Sequence, residues 1–203
     1  GSMTDIGGSV HVVPPMNLEP CYLTPVSKRI REEIALPILV AGRINDPRVA
    51  ERVLTAGEAD LVGMTRAQIC DPQMAGKATS GLADSIRACI ACNQACIGHM
   101  QAGHPISCIQ HPETGREAEY AIKQRAEAPM RVMVVGGGPA GMKTAAVAAE
   151  RGHSVTLFES APELGGQVRL ARQLPGRDEF GGLVTNLSRE MAMQGVEVRL
   201  NTF

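Results

Sequence analysis

Hydrophobic positions along the chain fall into two kinds of pattern, short unbroken apolar runs and longer stretches with helical spacing. Thr24 with Pro25 opens a helix through VSKRIREEIA, as a cap followed by proline in the first turn. Leu36-Pro37 ends it, and the run Ile38 to Gly42 predicts a short buried strand. Asn45-Asp46-Pro47 starts a second helix that runs to about Ala56 and stops at Gly57, before a second strand over Asp60–Met64. From Met130 the same grammar returns: strand RVMVVG, a glycine turn, a helix to about Gly152, strand SVTLFE, a helix around Asp178–Gln194 and strand VEVRLNTF. Strand and helix alternating with short turns specify an α/β fold with parallel sheets.

Residues 87–128 interrupt this grammar. They hold four cysteines, three histidines and the polar stretch ETGREAEYAIKQRAEAP, which reads as a linker or a surface helix. Three zones result, 1–86, 87–128 and 129–203, with no internal repeat.

Composition narrows the function classes. Lys plus Arg number 20 against 21 Asp plus Glu, a net charge of −1, so no strong field is available to grip nucleic acid or an anionic membrane. Aromatic residues are 2% with no Trp, which argues against a base-stacking platform. Hydrophobic residues reach 44%, enough for a packed core, and no apolar run approaches the ~20 residues of a membrane span. Gly1-Ser2-Met3 reads as the scar of a cleaved tag ahead of a start methionine. The expectation is a cytoplasmic protein that binds small molecules rather than nucleic acid or membrane, with self-association open.

The sharpest local motif is Gly136-Gly137-Gly138-Pro139-Ala140-Gly141, directly after a strand and opening a helix. Gly136, Gly138 and Gly141 satisfy G-x-G-x-x-G, giving a tight turn, close approach to a pyrophosphate and close helix–strand packing. The helix N-terminus supplies unpaired N–H donors to the phosphates. Glu159 follows Gly141 by 18 residues, at the end of the next strand, where ribose hydroxyls are held. A carboxylate there disfavours a 2′-phosphate, so FAD, NAD or ADP fits better than NADP. Further on, Glu163-Leu164-Gly165-Gly166-Gln167 lets backbone pass close to a ligand at Gly166, and Gln167 offers both donor and acceptor. The plain alternative is an ordinary Gly-Gly loop.

Cys89, Cys92, Cys96 and Cys108 have the spacing C-x2-C-x3-C-x11-C. A tight trio plus a later cysteine favours a 4Fe–4S cluster over structural zinc, whose ribbons more often show two separated C-x2-C knuckles. Zinc and free thiols remain as alternatives. His99, His104 and His111 read as loop surface, and Cys21 and Cys70 as small buried hydrophobes. In the first zone each strand ends in glycine-rich backbone beside an arginine, Gly42-Arg43 and Gly63-Met64-Thr65-Arg66. Backbone N–H groups and guanidinium at adjacent strand ends suit a phosphate, although two surface turns would look alike.

The order AGRINDPRVAERVL, EADLVGMTRAQICDP, CIACNQAC, VVGGGPAG, ELGGQVRLARQLPG resembles one family from about Pro25 to the C-terminus. It is similar to the iron–sulfur flavoenzymes related to 2,4-dienoyl-CoA reductase and trimethylamine dehydrogenase, of the NADH:flavin oxidoreductase, old-yellow-enzyme-like type. The resemblance implies the last two βα units of an FMN-binding (β/α)8 barrel (a TIM barrel), a cluster segment, and part of a Rossmann-like FAD/NAD-binding domain. It implies that Arg43, Thr65 and Arg66 contact FMN phosphate. Cys89, Cys92, Cys96 and Cys108 would hold the 4Fe–4S cluster. Gly136, Gly138, Ala140, Gly141, Glu159, Gly166 and Gln167 would bind FAD, or ADP in the amine-dehydrogenase branch. The resemblance also implies NAD(P)H as the electron donor in the whole enzyme.

Enzymes of this family are several times longer, and their substrate acid/base residues lie in earlier strands. The expectation is therefore an internal piece with no catalytic residue of its own, inactive alone, from an enoate- or dienoyl-type reductase relaying electrons FAD–4Fe–4S–FMN. An amine dehydrogenase or N-demethylase of the same family is the alternative, and a non-enzymatic electron-transfer or zinc-binding interaction module the rival class. Two βα units cannot close a barrel, so unpaired strand edges and an uncovered apolar face are expected, with order in residues 1–86 incomplete or supplied by partners.

Overall fold

In the computed structural model residues 6–120 and 124–203 are described, so the tag-like Gly1-Ser2-Met3 and residues 121–123 of the polar stretch lie outside them. The chain divides into two compact units, Gly1–Gly115 and Arg116–Phe203. The division falls inside the zone that breaks the α/β pattern, and all four clustered cysteines belong to the first unit.

The first unit begins with α1 (Ile6–Val12) and α2 (Thr24–Glu33), followed by β1 (Leu39–Ala41), α3 (Pro47–Thr55) and β2 (Leu61–Gly63). β1 and β2 pair in parallel, with Leu39 opposite Leu61 and Ala41 opposite Gly63. Helix α3 starts as its sequence dictates: the Asp46 side chain accepts from the Arg48 N–H at 2.8 Å, and Pro47 occupies the first turn. Val53, with no exposed surface, sits with Val40, Ile44, Ala50 and Ala59 in the core beneath the strands. Burial of such a side chain contributes roughly 1.5–3 kcal/mol. The opposite side of the strand pair is open, and Leu39 and Leu61 stay 60% and 54% exposed.

Thr24 departs from the expected cap. Leu23 takes the cap position, because the chain turns at Cys21 and the Thr24 N–H is already satisfied by the Cys21 carbonyl at 2.9 Å. After β2 come two short helices, α4 (Thr65–Cys70) and α5 (Met74–Thr79), that the hydrophobic pattern does not separate. Asp71 joins them. Its buried carboxylate accepts from Lys77 Nζ at 2.6 Å, from the Gln73 N–H at 3.1 Å and from the Arg87 N–H at 2.9 Å. The last bond fixes the chain just before the cysteines. Beyond it lie a π turn over Gln94–Gly98 and α6 (His99–Gln101).

The second unit holds α7 (Glu117–Tyr120), β3 (Arg131–Val135), α8 (Pro139–Glu150), β4 (Ser154–Phe158), α9 (Val168–Ala171), α10 (Phe180–Met193) and β5 (Glu197–Arg199). Its sheet is parallel in the order β3-β4-β5. Helices α8 and α10 pack together on this sheet, burying Met142, Ala145, Leu157, Leu187 and Met191. Met133 and Val135 of β3 are left exposed.

The Asp71 carboxyl is held below the usual carboxylate range: burial opposes ionisation, but Lys77 and the Arg87 N–H outweigh it. A depressed folded pKa makes its stabilisation fully present above the unfolded value of about 4 and lost as pH falls through the lower folded value. Asp71→Ala should cost about 3–5 kcal/mol in urea unfolding followed by circular dichroism, since it strands a largely buried lysine. The difference from wild type should shrink below about pH 4.

Candidate functional site

Two cavities adjoin in the first unit. The larger, of about 360 Å³, lies at the carboxyl ends of β1 and β2 and is lined by Ala41–Asn45, Gly63–Ala67, His11–Pro14 and the side of the cysteine segment. That volume is within the range of small-molecule and cofactor sites. The smaller is lined by Cys89, Cys92, Cys96 and Cys108 together with Ile90, Asn93, Ala95, Ile109 and Gln110. Arg66, Ile69, Cys89 and Cys96 line both.

Arg43, Thr65 and Arg66 all reach the larger cavity. Arg43 is buried at φ +54, and its Nη1 donates to the Met16 carbonyl at 2.9 Å and to the Leu18 carbonyl. Part of that guanidinium therefore holds the loop before α2. Thr65 is exposed at the start of α4. Arg66 donates through Nη1 to Asn93 Oδ1 at 2.6 Å.

The four cysteines line one cavity although only a π turn and a single helical turn order their segment. Ala91 and Asn93 adopt φ +49 and +57, left-handed conformations that turn peptide N–H groups inward around Cys92. The Ala91 N–H donates to Cys89 Sγ at 3.4 Å, Gln94 N–H donates to Cys92, and Gln110 and His111 N–H donate to Cys108. Amide N–H groups aimed at sulfur favour thiolates and suit an anionic iron–sulfur group, whose potential such bonds tune. Among the described residues no three His, Cys, Asp or Glu side chains are gathered as one metal ion requires.

The thiols are not equivalent. A hydrogen bond from buried Cys70 lowers the Cys108 thiol to about 6, while burial pushes Cys89 up to about 11 and raises Cys92. Cys70 itself is raised, by the same bond to Cys108 and by burial. Cys21 is buried as expected, and Cys70 is more than a hydrophobe because it touches Cys108. His99 and His104 lie on the loop, but His111 departs from the surface reading. Its side chain is 13% exposed, with Nε2 at 3.5 Å from Glu113 and Nδ1 at 3.1 Å from the Ile69 carbonyl.

The second unit builds a glycine cradle. Gly138 caps α8 with Pro139 in the first turn. A Cβ on Gly141 would lie 2.0 Å from the Gly136 carbonyl oxygen, so only glycine permits this turn to close on the helix. Gly166, at φ +50, would place a Cβ 3.1 Å from Gly138 Cα, which brings the second glycine loop against the first. Ala140 is exposed in the first turn of α8 and Gln167 at the head of α9. Glu159 accepts from the Gly137 N–H at 2.6 Å and from the Ala161 N–H at 2.8 Å. The backbone donors of Ala161 and Gly137 hold its carboxyl below the usual range.

Sequence reasoning passed over Asn45, Asn93 and Asp71. Asn45 Nδ2 donates to the Cys89 carbonyl at 2.5 Å and Asn93 Nδ2 to the Val13 carbonyl at 2.9 Å. Asn93 had a signal, as an asparagine inside a cysteine motif is a common left-handed residue; Asn45 reads simply as part of a helix start.

Comparison with known proteins agrees with this geometry. Residues 10–85 match the NADH:flavin oxidoreductase / NADH oxidase family, and residues 134–196 match the NAD(P)-binding Rossmann-like domain. A "Metal reductase" of Desulforamulus reducens is 40% identical over 187 residues, covering 92% of this chain and 28% of that protein. An "N,N-dimethylglycine/sarcosine dehydrogenase" of Chromohalobacter salexigens is also 40% identical, over 195 residues, covering 95% of this chain and 28% of that protein. Among solved structures, a 2-naphthoyl-CoA reductase complex superposes with a TM-score of 0.87 at 31% identity, covering 93% of this chain and 29% of that one. The fold and motifs thus place the chain among α/β proteins of the flavin- and NAD-binding oxidoreductase families. Within that class, residues 10–85 belong to the NADH:flavin oxidoreductase / NADH oxidase family and residues 134–196 to the NAD(P)-binding Rossmann-like domains. The chain spans 28% of the length of either curated relative. Among the described residues no helix is long and apolar enough to cross a membrane.

In metal-free protein the rate of Cys108 alkylation by iodoacetamide should rise with pH through a midpoint near 6. Cys70→Ala removes the donor and should move that midpoint upward, as peptide mass spectrometry would report. An unmoved midpoint would show that Cys70 does not act on Cys108.

Proposed function

We propose that the chain is the redox junction of an NAD(P)H-dependent flavin and iron–sulfur oxidoreductase acting as an enoate- or dienoyl-type reductase. The observation that carries this is the pair of cavities sharing Arg66, Ile69, Cys89 and Cys96. When bound, flavins and a 4Fe–4S cluster would supply one- and two-electron transfer between a nicotinamide donor and an organic substrate.

The chain's residues contribute the holding. Cys89, Cys92, Cys96 and Cys108 would ligate the cluster, with backbone N–H groups stabilising the ligated sulfurs. A tetrahedral zinc would draw four sulfurs to about 3.8 Å of one another, given Zn–S near 2.3 Å. Three cysteines on one loop with a fourth arriving later, all bordering one cavity, suit the larger group better. Thr65, Arg66 and the backbone at Gly42-Arg43 would receive the FMN phosphate at the strand ends. Gly136, Gly138, Ala140, Gly141, Gly166 and Gln167 would pass backbone and amide close to the pyrophosphate of FAD, or of ADP. Glu159 would hold the adenosine ribose. An amine-oxidising direction has its own support in the Chromohalobacter dehydrogenase, which shares the same extent of this chain.

Anaerobically purified full-length protein should contain iron and acid-labile sulfide in equal amounts, about four of each per chain as a cubane requires. Its visible absorbance should bleach with NADH or NADPH. Zinc without sulfide would replace the junction with a structural metal site. Bleaching by a methylated amine, and none by a nicotinamide, would select the amine-oxidising alternative.

Glu159→Gln should weaken ADP and NAD binding about ten-fold or more by calorimetry, since hydrogen bonds to a charged acceptor are worth about 1.5–3 kcal/mol. Discrimination against NADP should fall with it. Unchanged affinity would remove Glu159 from the ribose site.

A further inference from the structure

Asn93 sits inside the cysteine motif, between Cys92 and Cys96, and contributes no thiol. Its backbone is left-handed at φ +57, where asparagine is several-fold enriched over other non-glycine residues. That conformation places its amide between two parts of the larger cavity's wall. Oδ1 accepts from Arg66 Nη1 at 2.6 Å, and Nδ2 donates to the Val13 carbonyl at 2.9 Å. Arg66 and Val13 both line the larger cavity, while Asn93 and Arg66 line the smaller one. One amide therefore spans the cysteine loop, a cavity arginine and the segment after α1.

We propose that Asn93 couples the two cavities thermodynamically: cluster ligation at the cysteines and flavin phosphate binding at the strand ends each raise the affinity for the other. This rests on the cofactor assignment made above. Ligating Cys92 and Cys96 fixes the backbone on both sides of Asn93, and with it the direction of the amide. A fixed Oδ1 then holds the Arg66 guanidinium before any phosphate arrives, so less side-chain freedom is lost on binding. Arg66 secured by a bound phosphate offers Asn93 a fixed partner in return, which restrains the loop around the cluster. Binding linkage is reciprocal, and a coupling of ordinary size changes each affinity about five-fold or more.

The test measures FMN affinity by quenching of flavin fluorescence on anaerobic full-length protein, cluster-loaded and chelator-stripped, for wild type and Asn93→Gly. Glycine accepts φ +57 and deletes only the amide. Wild type should bind FMN about five-fold or more tightly when loaded, and bound FMN should slow iron release to a chelator by a similar factor. Asn93→Gly should load iron, bind FMN like stripped wild type, and lose the dependence of affinity on the cluster. An equal loaded-to-stripped ratio in wild type and variant, or no ratio in wild type, overturns the coupling while leaving the cofactor assignment standing. Absence of FMN binding in every form overturns both, with iron uptake measured separately. Should Asn93→Gly fail to load, its stripped FMN affinity decides. Equality with stripped wild type supports the coupling, and weaker binding shows that Asn93 acts without the cluster.

Discussion

Four thiols carried on a segment almost without regular structure can face one cavity only if the backbone between them is pinned from outside. The pins are hydrogen bonds at close intervals: Asp71 to the Arg87 N–H, Gln110 to the Ala88 carbonyl, Asn45 to the Cys89 carbonyl and Arg66 to Asn93. The Ser107 N–H closes the far side on the Ala95 carbonyl at 2.8 Å. Each such bond is worth about 0.5–1.5 kcal/mol net, so no single one holds the loop. Together they make the cysteine segment part of the first unit rather than a separate insert. Two of the residues that hold the loop, Asn45 and Arg66, also line the larger cavity, and Arg66 lines both.

The second unit meets a related constraint with different means. Its cradle is made of closely approaching backbone, nearer than any side chain would permit at Gly141 against Gly136, and at 3.1 Å for a Cβ on Gly166 against Gly138 Cα. Glu159 locks the first glycine loop by accepting the Gly137 N–H. Thus the carboxylate suited to a ribose also holds the shape of the phosphate turn. In the first unit side-chain amides and charges pin a loop around sulfur. In the second, the absence of side chains lets loops meet.

Much of this was legible in the chain. Apolar runs at Ile38–Gly42, Asp60–Met64, RVMVVG and SVTLFE mark strands that form within a residue or two of their expected ends, because β-branched runs bounded by glycine and proline leave few alternatives. The short helices α4, α5 and α9 were not legible, since four to six residues are too few to show a period and depend on tertiary contacts. Site residues with unusual backbone demands or distinctive ligand chemistry could be read, namely the glycines, the cysteines and the strand-end arginines. The roles of Asn45, Asn93 and Asp71 in holding the cysteine segment could not, although asparagine at 93 is a residue type favoured at positive φ, because the partners concerned, Cys89, Arg66, Val13 and Arg87, are 16 to 80 residues away in sequence. His111 misled for the same reason: its setting comes from Ile69 and the adjacent Glu113, not from the polar loop around it.

The relatives include a reductase and an amine dehydrogenase, each 40% identical to this chain over nearly its whole length. The two names describe different reactions, whereas the residues described above line cavities and cradles. A redox junction is indifferent to the direction in which electrons cross it, because holding a cofactor and setting its potential serve either flow. What such a junction must do is keep its groups close and bias their potentials. In the proposed junction, the Cys70–Cys108 bond and the N–H donors to Cys89, Cys92 and Cys108 would act on that second requirement. They place net hydrogen-bond donation on the sulfurs, which stabilises the more reduced, more negative state of a ligated cluster. Donor count around these four sulfurs is therefore the property by which this part of the chain would set the potential of the proposed cluster, whichever way electrons cross.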